Sequence, residues 1–276
     1  MEPGRWPARR LAFRVEYDGT DFAGWQAQTR QATVQGALEA AIAAVVGEPV
    51  GVQGASRTDA GVHARDQRAA VTLHHPMRPE GLVKAVNRRL APAIAIRDAH
   101  EVALDYNPRF TNGGKTYAYR LYHDLRPHPL LDRFAWRLPW PIALEPLAQA
   151  AWHCLGRHDF RSFAAADGSH QSTLRTLSRI ALTHEPGGVI CLWIRGDAFM
   201  KQMVRNLVGT WVEVARGARP ASAMPAILRA ADRAAAGPTA AARGLTLEVI
   251  HEGQRRPAGH TGSEAGADAD AEVDVE

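Results

Sequence analysis

The segment LAFRVEY, residues 11–17, alternates apolar and polar side chains with a period of two. Its aliphatic and aromatic residues fall at the odd positions from Leu11 to Tyr17, whereas Arg14 and Glu16 fall on the opposite face. This alternation predicts a half-buried β-strand. The strand opens an order of elements that recurs later in the chain, and that recurrence decides the predicted fold.

The first half of the chain continues the pattern begun by this strand. Apolar residues recur at helical spacing from Val34 to Val45, short apolar runs follow at 50–55 and 69–74, and a second helix is predicted over 80–90. The predicted order is therefore strand, helix, strand, strand, helix. The segment YNPRFTNGG, residues 106–114, is then rich in Pro, Asn and Gly and is typical of a domain junction.

The second half repeats the order without repeating the sequence. Strands are predicted for KTYAYRLY, LSRIALTH and GVICLWIRG, and helices for 147–155 and 199–214. The sequence thus predicts two pattern-related α+β domains with antiparallel sheets flanked by helices. We expect an N-terminal domain over residues 1–104, a C-terminal domain over 105–252 and an acidic tail over 253–276 that is disordered because it lacks residues able to form a core.

Composition excludes several classes of protein. With 276 residues, 46% hydrophobic and 22% charged, the chain suits two globular domains. Its longest apolar run, ALEAAIAAVV, is too short to span a bilayer and contains Glu39, and no signal peptide is recognised, so a cytoplasmic protein without a membrane partner is expected. The only cysteines, Cys154 and Cys191, predict reduced buried thiols.

The net charge of the whole chain is +4, but residues 1–262, here called the body, are more basic than this value indicates. Residues 263–276 carry six acidic and no basic residues, which leaves 33 Lys and Arg against 23 Asp and Glu in the rest. A basic body favours a polyanionic partner, nucleic acid first.

Charge is most concentrated in GASRTDAGVHARDQ, residues 54–67. Arg57 and Asp59 lie two residues apart, so in an extended segment both would point the same way, and Gly61 permits the chain to reverse. A carboxylate beside a guanidinium is the expected result. Taken alone, this pattern also fits a surface turn closed by a weak ion pair.

Several motifs resemble known sites but fail on spacing. NGGKTY lacks the first Gly of a phosphate loop and precedes a strand instead of a helix. His153, Cys154 and His158 do not share a helical face, so no metal site is predicted. Ser56, Asp59 and His63 are too close in sequence to align as a hydrolase relay, and His63 is interpreted as structural. No dinucleotide-binding motif follows a strand.

What remains is an ordered set of motifs, SRTDAGVHA, GKTYAYRL, DFRSFA, GDAFMKQMVRNLVG and RGLTLEV. In this order the set resembles the tRNA pseudouridine synthase A family, over about residues 10 to 250. The resemblance implies a homodimer that binds the anticodon arm of tRNA in a cleft between the two domains and isomerises uridines at or near tRNA positions 38 to 40, with neither cofactor nor metal.

The resemblance also implies roles for five residues. Asp59 resembles the catalytic nucleophile, and Arg57 resembles the arginine that fills the space left by the flipped base. Tyr117 resembles the ring that stacks on the uracil, Arg205 the arginine that pairs with the nucleophile, and Leu245 an apolar contact to the base.

Two departures from the family pattern concern neighbouring residues. Ser56 stands where many members have Gly, and Lys201 and Gln202 stand where His-His is frequent in bacterial members. The first departure leaves the geometry of the Asp59 loop open, and the second leaves the set of modified tRNA positions open.

The chemistry of the reaction agrees with these residue types. Moving uracil from an N1 to a C5 linkage needs a nucleophile and a tight pocket but no redox step, and a carboxylate suffices. Arg57 and Arg205 near Asp59 would favour its ionised form. Extruding a base costs a few kcal/mol, which stacking on an aromatic ring partly offsets.

Other interpretations remain at this stage. Taken alone, Tyr117 and Leu245 fit core positions, and Arg205 fits a solvated helix flank that it shares with Lys201. Lys115, Arg120, Arg161, Arg175 and Arg219 are candidate phosphate contacts. The competing functions are a non-catalytic RNA-binding module, which would not need Asp59, and a carboxylate glycosidase, which would need a paired acid at a set separation.

Overall fold

The computed structural model describes residues 6–168, 172–253 and 273–275, and the chain divides into two compact units. The first unit contains Met1–Gly113 and Leu247–Gln254, and the second contains Gly114–Thr246 and Arg255–Glu276. The first division therefore falls after Gly113, within the predicted junction, and not after residue 104. A later segment returns to the first unit, which the linear domain prediction did not anticipate.

The first unit is built from strands and two helices in the predicted order, followed by one further strand. Its elements are β1 (Arg9–Tyr17), α1 (Val34–Val46), β2 (Val52–Gly54), β3 (His63–Leu73), α2 (Pro79–Leu90) and β4 (Ile94–Val102). β3 pairs antiparallel with β1 and with β2, and β1 pairs antiparallel with β4. The predicted strand at 11–17 is confirmed as the last seven residues of β1.

Helix α1 is capped at both ends by residues suited to those positions. Thr33 caps α1 by accepting a hydrogen bond from Gly36 N at 3.2 Å, and Gly47 ends the helix in the left-handed conformation with φ +80°. The buried face of α1 carries Val34, Leu38, Ala41, Ile42 and Val46. This apolar stripe is the source of the helical periodicity seen in the sequence.

The second unit contains the remaining elements. They are β5 (Lys115–His123), α3 (Pro129–Asp132), β6 (Trp136–Leu138), α4 (Leu144–Trp152), β7 (Gly156–Asp159), β8 (Leu174–Glu185), β9 (Val189–Gly196), α5 (Met203–Ala215) and α6 (Met224–Ala230). β8 and β9 form an antiparallel hairpin, β9 pairs antiparallel with β5, and β7 pairs antiparallel with β8. Helix α5 is buried over most of its length and packs against α4.

The last strands depart from the predicted pattern. β10 (Leu245–Ile250) contains the point at which the chain passes from the second unit back to the first. β11 (Val273–Val275) pairs parallel with β8, and β6 pairs parallel with β5, so the sheets are not purely antiparallel. The predicted disordered tail falls largely on residues 254–272 and 276, which lie outside the described residues.

Helix α5 begins at Met203, four residues later than the sequence predicted. Gln202 has a left-handed conformation with φ +60°, which interrupts the apolar periodicity that starts at Phe199. Lys201 consequently lies outside the helix, where its Nζ is 2.5 Å from Asp167 Oδ2. The helix flank expected to join Lys201 and Arg205 does not exist.

Gly209 lets the segment after α6 pass directly against α5. A Cβ atom at Gly209 would lie 1.7 Å from the carbonyl oxygen of Pro238. Alanine favours a helix by about 1 kcal/mol over glycine, but overpacking a core costs about 1–3 kcal/mol. We expect Gly209→Ala to lower the free energy of unfolding by about 2 kcal/mol, because a contact of 1.7 Å with a backbone oxygen puts the overpacking cost at the upper end of that range and Pro238 must move. Denaturant unfolding measures this change.

Gly51→Ala is the matched control for this substitution. No atom lies within 4 Å of a Cβ at Gly51, so its effect should stay within about 0.5 kcal/mol. Equal stability of the two variants would show that the 236–240 segment does not pack against α5 in solution.

Candidate active-site elements

Asp59 lies on the connection between β2 and β3, and the start of this connection is fixed by a buried glutamine. Gln67 on β3 is fully buried; its Nε2 donates to Ser56 O at 2.6 Å and its Oε1 accepts from Ser56 N at 3.0 Å. Ala55 N also donates to Arg68 O at 2.9 Å. The chain therefore leaves β2 in one register.

The middle of the connection is fixed by the turn that follows β1. Trp25 N donates to Thr58 O at 3.1 Å, and the hydroxyls of Tyr17 and Thr58 lie 2.7 Å apart. Thr58 is buried, whereas Asp59 is half-buried. The residue before the candidate nucleophile is thus anchored through both its backbone and its side chain.

Two glycines permit this arrangement. Gly24 has φ +97°, and a Cβ atom there would lie 2.7 Å from Thr58 O. Gly61 has φ +76° and donates its N–H to Phe22 O at 3.2 Å, while Val62 N donates to Asp59 O at 3.2 Å. The chain reversal predicted at Gly61 is therefore confirmed, and it is tied to the same turn as Thr58.

The ion pair expected within Arg57-Thr58-Asp59 is not formed. Arg57 is exposed and makes no ion pair with Asp59 in the described part of the chain. The physical reason is the anchoring of Thr58, which fixes the backbone while the Arg57 side chain extends into solvent. The interpretation of this segment as a surface turn closed by a local ion pair is wrong.

The neighbouring polar residues have structural roles. Nδ1 of buried His63 accepts from Gly19 N at 3.0 Å and lies 3.2 Å from Asp18 Oδ1, which confirms the structural interpretation of His63. Asp66 is also buried and accepts from Arg14 Nε at 2.6 Å and from Ile250 N at 3.1 Å. These bonds hold Asp66 as a structural residue of the first unit.

In the second unit, Arg205 lies in the first turn of α5 and is half-buried. Its Nε donates to Ala240 O at 2.8 Å, and Ala240 N donates to Arg205 O at 3.1 Å. The guanidinium is therefore oriented by a backbone carbonyl from a distant segment, and the interpretation of Arg205 as a solvated helix flank is wrong.

A buried asparagine beside Arg205 holds the same segment. Asn206 is fully buried; its Nδ2 donates to Phe163 O at 2.8 Å, and its Oδ1 accepts from Thr239 Oγ1 at 2.7 Å and Arg233 Nη2 at 3.1 Å. The sequence analysis gave Asn206 no role. The sequence feature that could have identified it is an amide side chain among the apolar residues of a predicted helix. A polar group buried there needs hydrogen-bond partners.

Tyr117 and Tyr119 occupy alternate positions on β5. Tyr117 is only 6% exposed and packs edge-on against Phe199 with ring centroids 5.0 Å apart. Tyr119 donates its hydroxyl to Ala241 O at 2.7 Å. Burial raises the pKa of Tyr119, and the positive charges of Arg205 and Arg243 oppose part of that shift.

Leu245 follows this contact and is 5% exposed at the start of β10. Its predecessor Gly244 approaches Tyr119 so closely that a Cβ atom would lie 2.7 Å from the tyrosine ring. Within the second unit, Tyr119 and Arg205 thus hold neighbouring carbonyls of one segment, and that segment leads directly to Leu245.

At least two of the five candidate phosphate contacts are hydrogen-bonded to carboxylates within the protein. Arg120 Nε donates to both carboxylate oxygens of Glu185, at 3.1 and 2.9 Å, and Arg219 Nε donates to Glu213 at 2.6 Å. Lys115 is buried. Arg161 remains exposed, with only a 3.8 Å approach to Asp159. The Nε atoms of Arg120 and Arg219 are therefore already bonded to carboxylates within the second unit.

The two cysteines lie in the second unit. Cys154 and Cys191 are buried thiols outside any disulfide, as predicted, and burial raises the pKa of Cys154 to about 12. Across the described residues, no group of three or more His, Cys, Asp or Glu side chains is arranged to hold a metal ion. None of the described helices has the length and apolar character needed to cross a membrane.

The chain is similar to several known proteins over most of its length. A family model described as tRNA pseudouridine synthase matches residues 14–111 and 150–251. A tRNA pseudouridine synthase A from Myxococcus xanthus is 39% identical over 261 residues, which cover 95% of this chain and 98% of that protein. One from Geotalea uraniireducens is 38% identical, covering 88% and 99%, and one from Solibacter usitatus is 42% identical, covering 76% and 88%.

The bonds from Gln67 give a testable prediction about the loop that carries Asp59. Gln67→Leu keeps a similar volume but leaves the buried N–H and C=O of Ser56 without these partners, at about 1–3 kcal/mol. We expect a corresponding loss in the free energy of unfolding, measured in urea. Gln28→Leu removes only an exposed 3.4 Å hydrogen bond and should be nearly silent. A silent Gln67→Leu would mean that this loop is not held through Ser56.

Proposed function

Because the chain belongs to the tRNA pseudouridine synthase family, whose members are isomerases that act on tRNA, we propose that it isomerises uridines of the anticodon arm with Asp59 as nucleophile. The proposed substrate positions are 38, 39 and 40 of tRNA. Isomerisation of tRNA uridine is the activity of the family; the positions and the roles of individual residues belong to the proposal.

The observation that carries the assignment of Asp59 is the anchoring of its loop. Ser56 is hydrogen-bonded to β3, whereas Thr58 and Gly61 are hydrogen-bonded to the turn after β1, and the half-buried Asp59 lies among these fixed points. A nucleophile must be held close to its productive position, because a displacement of about 1 Å costs on the order of 10² in rate. The fixed backbone supports a catalytic role better than a solvated one.

The reaction rearranges bonds within a single nucleotide. The bond between N1 of uracil and C1′ of ribose breaks, a bond between C5 and C1′ forms, the proton leaves C5, and N1 takes up a proton. Asp59 assists by attack on C1′, by addition to C6 or by promoting a glycal intermediate. In all three routes the carboxylate acts in its ionised form, which makes it a nucleophile or base and not a general acid.

The two arginines supply different functions in this proposal. Arg57 is exposed, which suits a side chain that enters the RNA stack as the base leaves it. Arg205 has its Nε fixed by Ala240 O, so its guanidinium is oriented before substrate binds. An oriented guanidinium that pairs with Asp59 would stabilise the negative charge of the carboxylate at no cost in reorganisation.

Tyr117 and Leu245 are proposed to receive the extruded uracil. The Tyr117 ring packs against Phe199, and the backbone just before the buried Leu245 is fixed by the close approach of Gly244 to Tyr119. A fixed ring and a fixed aliphatic surface suit a planar base, because little side-chain entropy is lost on binding.

The remaining parts of the proposal follow from the substrate and the chemistry. An isomerisation needs no redox cofactor, and a carboxylate nucleophile needs no metal. We further propose that the protein acts in the cytoplasm, where tRNA is processed, and that it functions as a homodimer, as the family resemblance implies.

A substitution of Asp59 separates catalysis from tRNA binding. Asp59→Asn keeps the shape of the side chain and removes its charge, so tRNA affinity and melting temperature should change little while turnover is lost. Release of tritium from tRNA labelled at C5 of uridine measures turnover. Asp105→Asn alters an exposed carboxylate elsewhere in the first unit and should remain active. An active Asp59→Asn variant would refute the proposed nucleophile.

Two substitutions of Tyr117 test whether its ring stacks on uracil. If its ring stacks on uracil, Tyr117→Phe should keep tRNA binding, whereas Tyr117→Ala should lose about 1–3 kcal/mol of binding free energy. A hydroxyl that transfers a proton would instead make Phe nearly as damaging to turnover as Ala, by about 10² to 10⁴ in rate. Because the side chain is 6% exposed, melting temperatures must accompany both assays. A folded, fully active Tyr117→Ala variant excludes stacking.

A further inference from the structure

Phe110 is an exposed aromatic residue that the proposed reaction does not use. Its side chain is 59% exposed on the loop between β4 and β5, within the first unit. Single exposed apolar residues are common and need no explanation by themselves. The surroundings of Phe110, described next, distinguish it from an incidental surface residue.

The loop that carries Phe110 is fixed at its N-terminal base by a buried cation. Arg10 on β1 is buried and donates its Nε to Tyr106 O at 2.7 Å, while its other nitrogens bond Thr72 Oγ1 at 2.8 Å and Gln53 Oε1 at 2.5 Å. A buried arginine with three satisfied bonds is a rigid support. The chain therefore enters the loop from a defined point.

The tip of the loop is closed by its own asparagines. Asn107 accepts from Arg109 N at 3.0 Å through Oδ1 and from Phe110 N at 3.1 Å through its carbonyl. The buried Asn112 donates to Pro108 O at 3.2 Å and to Arg109 O at 2.8 Å. These bonds hold Phe110 outward on an ordered turn, so its ring is presented at little further entropic cost.

A cation accompanies the exposed ring. The guanidinium carbon of Arg109 lies 5.9 Å from the centroid of the Phe110 ring, and Arg109 is itself exposed. Among the residues described, no carboxylate forms an ion pair with Arg109. An exposed ring beside a cation that has no acidic partner is the combination used to bind single-stranded nucleic acid, with stacking on the base and charge on the phosphate.

We propose that Phe110 and Arg109 form a tRNA contact separate from the residues assigned to the reaction. The Phe110 ring stacks on an unpaired base, and the Arg109 guanidinium binds a neighbouring phosphate. This inference rests on the proposed function for its choice of RNA as partner. It adds binding residues and no step of the chemistry.

The experiment compares four variants of the full chain. Phe110→Ala removes the ring, Phe110→Trp keeps a stacking surface, and Arg109→Gln removes only the charge. Trp152→Ala is the matched control, because Trp152 is 57% exposed but lies in the second unit, on α4. For each protein the dissociation constant for unmodified tRNA is measured at several salt concentrations, together with tritium release at saturating tRNA and melting temperature.

The proposal predicts a distinct pattern across these measurements. Phe110→Ala should weaken tRNA binding about 5- to 150-fold with turnover at saturation and melting temperature unchanged, and Phe110→Trp should restore binding. Arg109→Gln should lower the slope of log affinity against log salt by about one, as loss of one phosphate contact requires. Trp152→Ala should bind as the wild type does.

Two results would overturn the proposal. One is binding by Phe110→Ala within about twofold of the wild type. The other is an equal loss in Phe110→Ala and Phe110→Trp accompanied by a lower melting temperature, which would mean a structural role. Absence of tritium release from the wild-type protein would contradict the proposed function instead, while the binding measurements would still decide the role of Phe110.

Discussion

The hydrogen bond from Trp25 N to Thr58 O is the constraint on which the candidate site of the first unit depends. It joins the turn after β1 to the residue before Asp59, and it forms only because Gly24 has no Cβ atom to collide with the Thr58 carbonyl. The Trp25 ring in turn packs so closely on Gly54 that a Cβ there would lie 2.5 Å from it. Two glycines and one indole thereby fix a backbone that carries charged residues, which supplies the preorganisation that catalysis by a charged side chain requires.

In the second unit, hydrogen bonds to backbone carbonyls orient the candidate side chains. Arg205 donates to the carbonyl of Ala240, and Tyr119 donates to the adjacent carbonyl of Ala241. Asn206 Oδ1 accepts a hydrogen bond from the hydroxyl of Thr239 in the same segment. The guanidinium of Arg205 is therefore held against the segment that begins near Ala240 and leads to Leu245. Since buried polar groups are stable only when their hydrogen bonds are satisfied, a change at any of these donors should affect the whole segment.

Periodicity predicted the elements that have one clear apolar face, such as β1 and α1. It missed β4, because most of that strand after Ile96 is exposed and charged, so no alternation of apolar residues is visible. It placed the start of α5 too early, because the left-handed Gln202 leaves no trace in hydropathy. The family resemblance supplied the candidate residues, but the ion pair expected between Arg57 and Asp59 was wrong. The bonds to Trp25, Gln67 and Ala240 come from residues distant in sequence, which no local pattern reports.

The central claim is that catalysis depends on a carboxylate held at one position by an anchored loop. Asp59→Glu tests it most directly, because the charge is kept while the carboxylate moves by one methylene group. The account predicts unchanged tRNA affinity and melting temperature, with a loss of single-turnover tritium release of at least about 10²-fold. Release by Asp59→Glu within a few-fold of the wild-type rate would contradict the account, since the position of the carboxylate would then not matter.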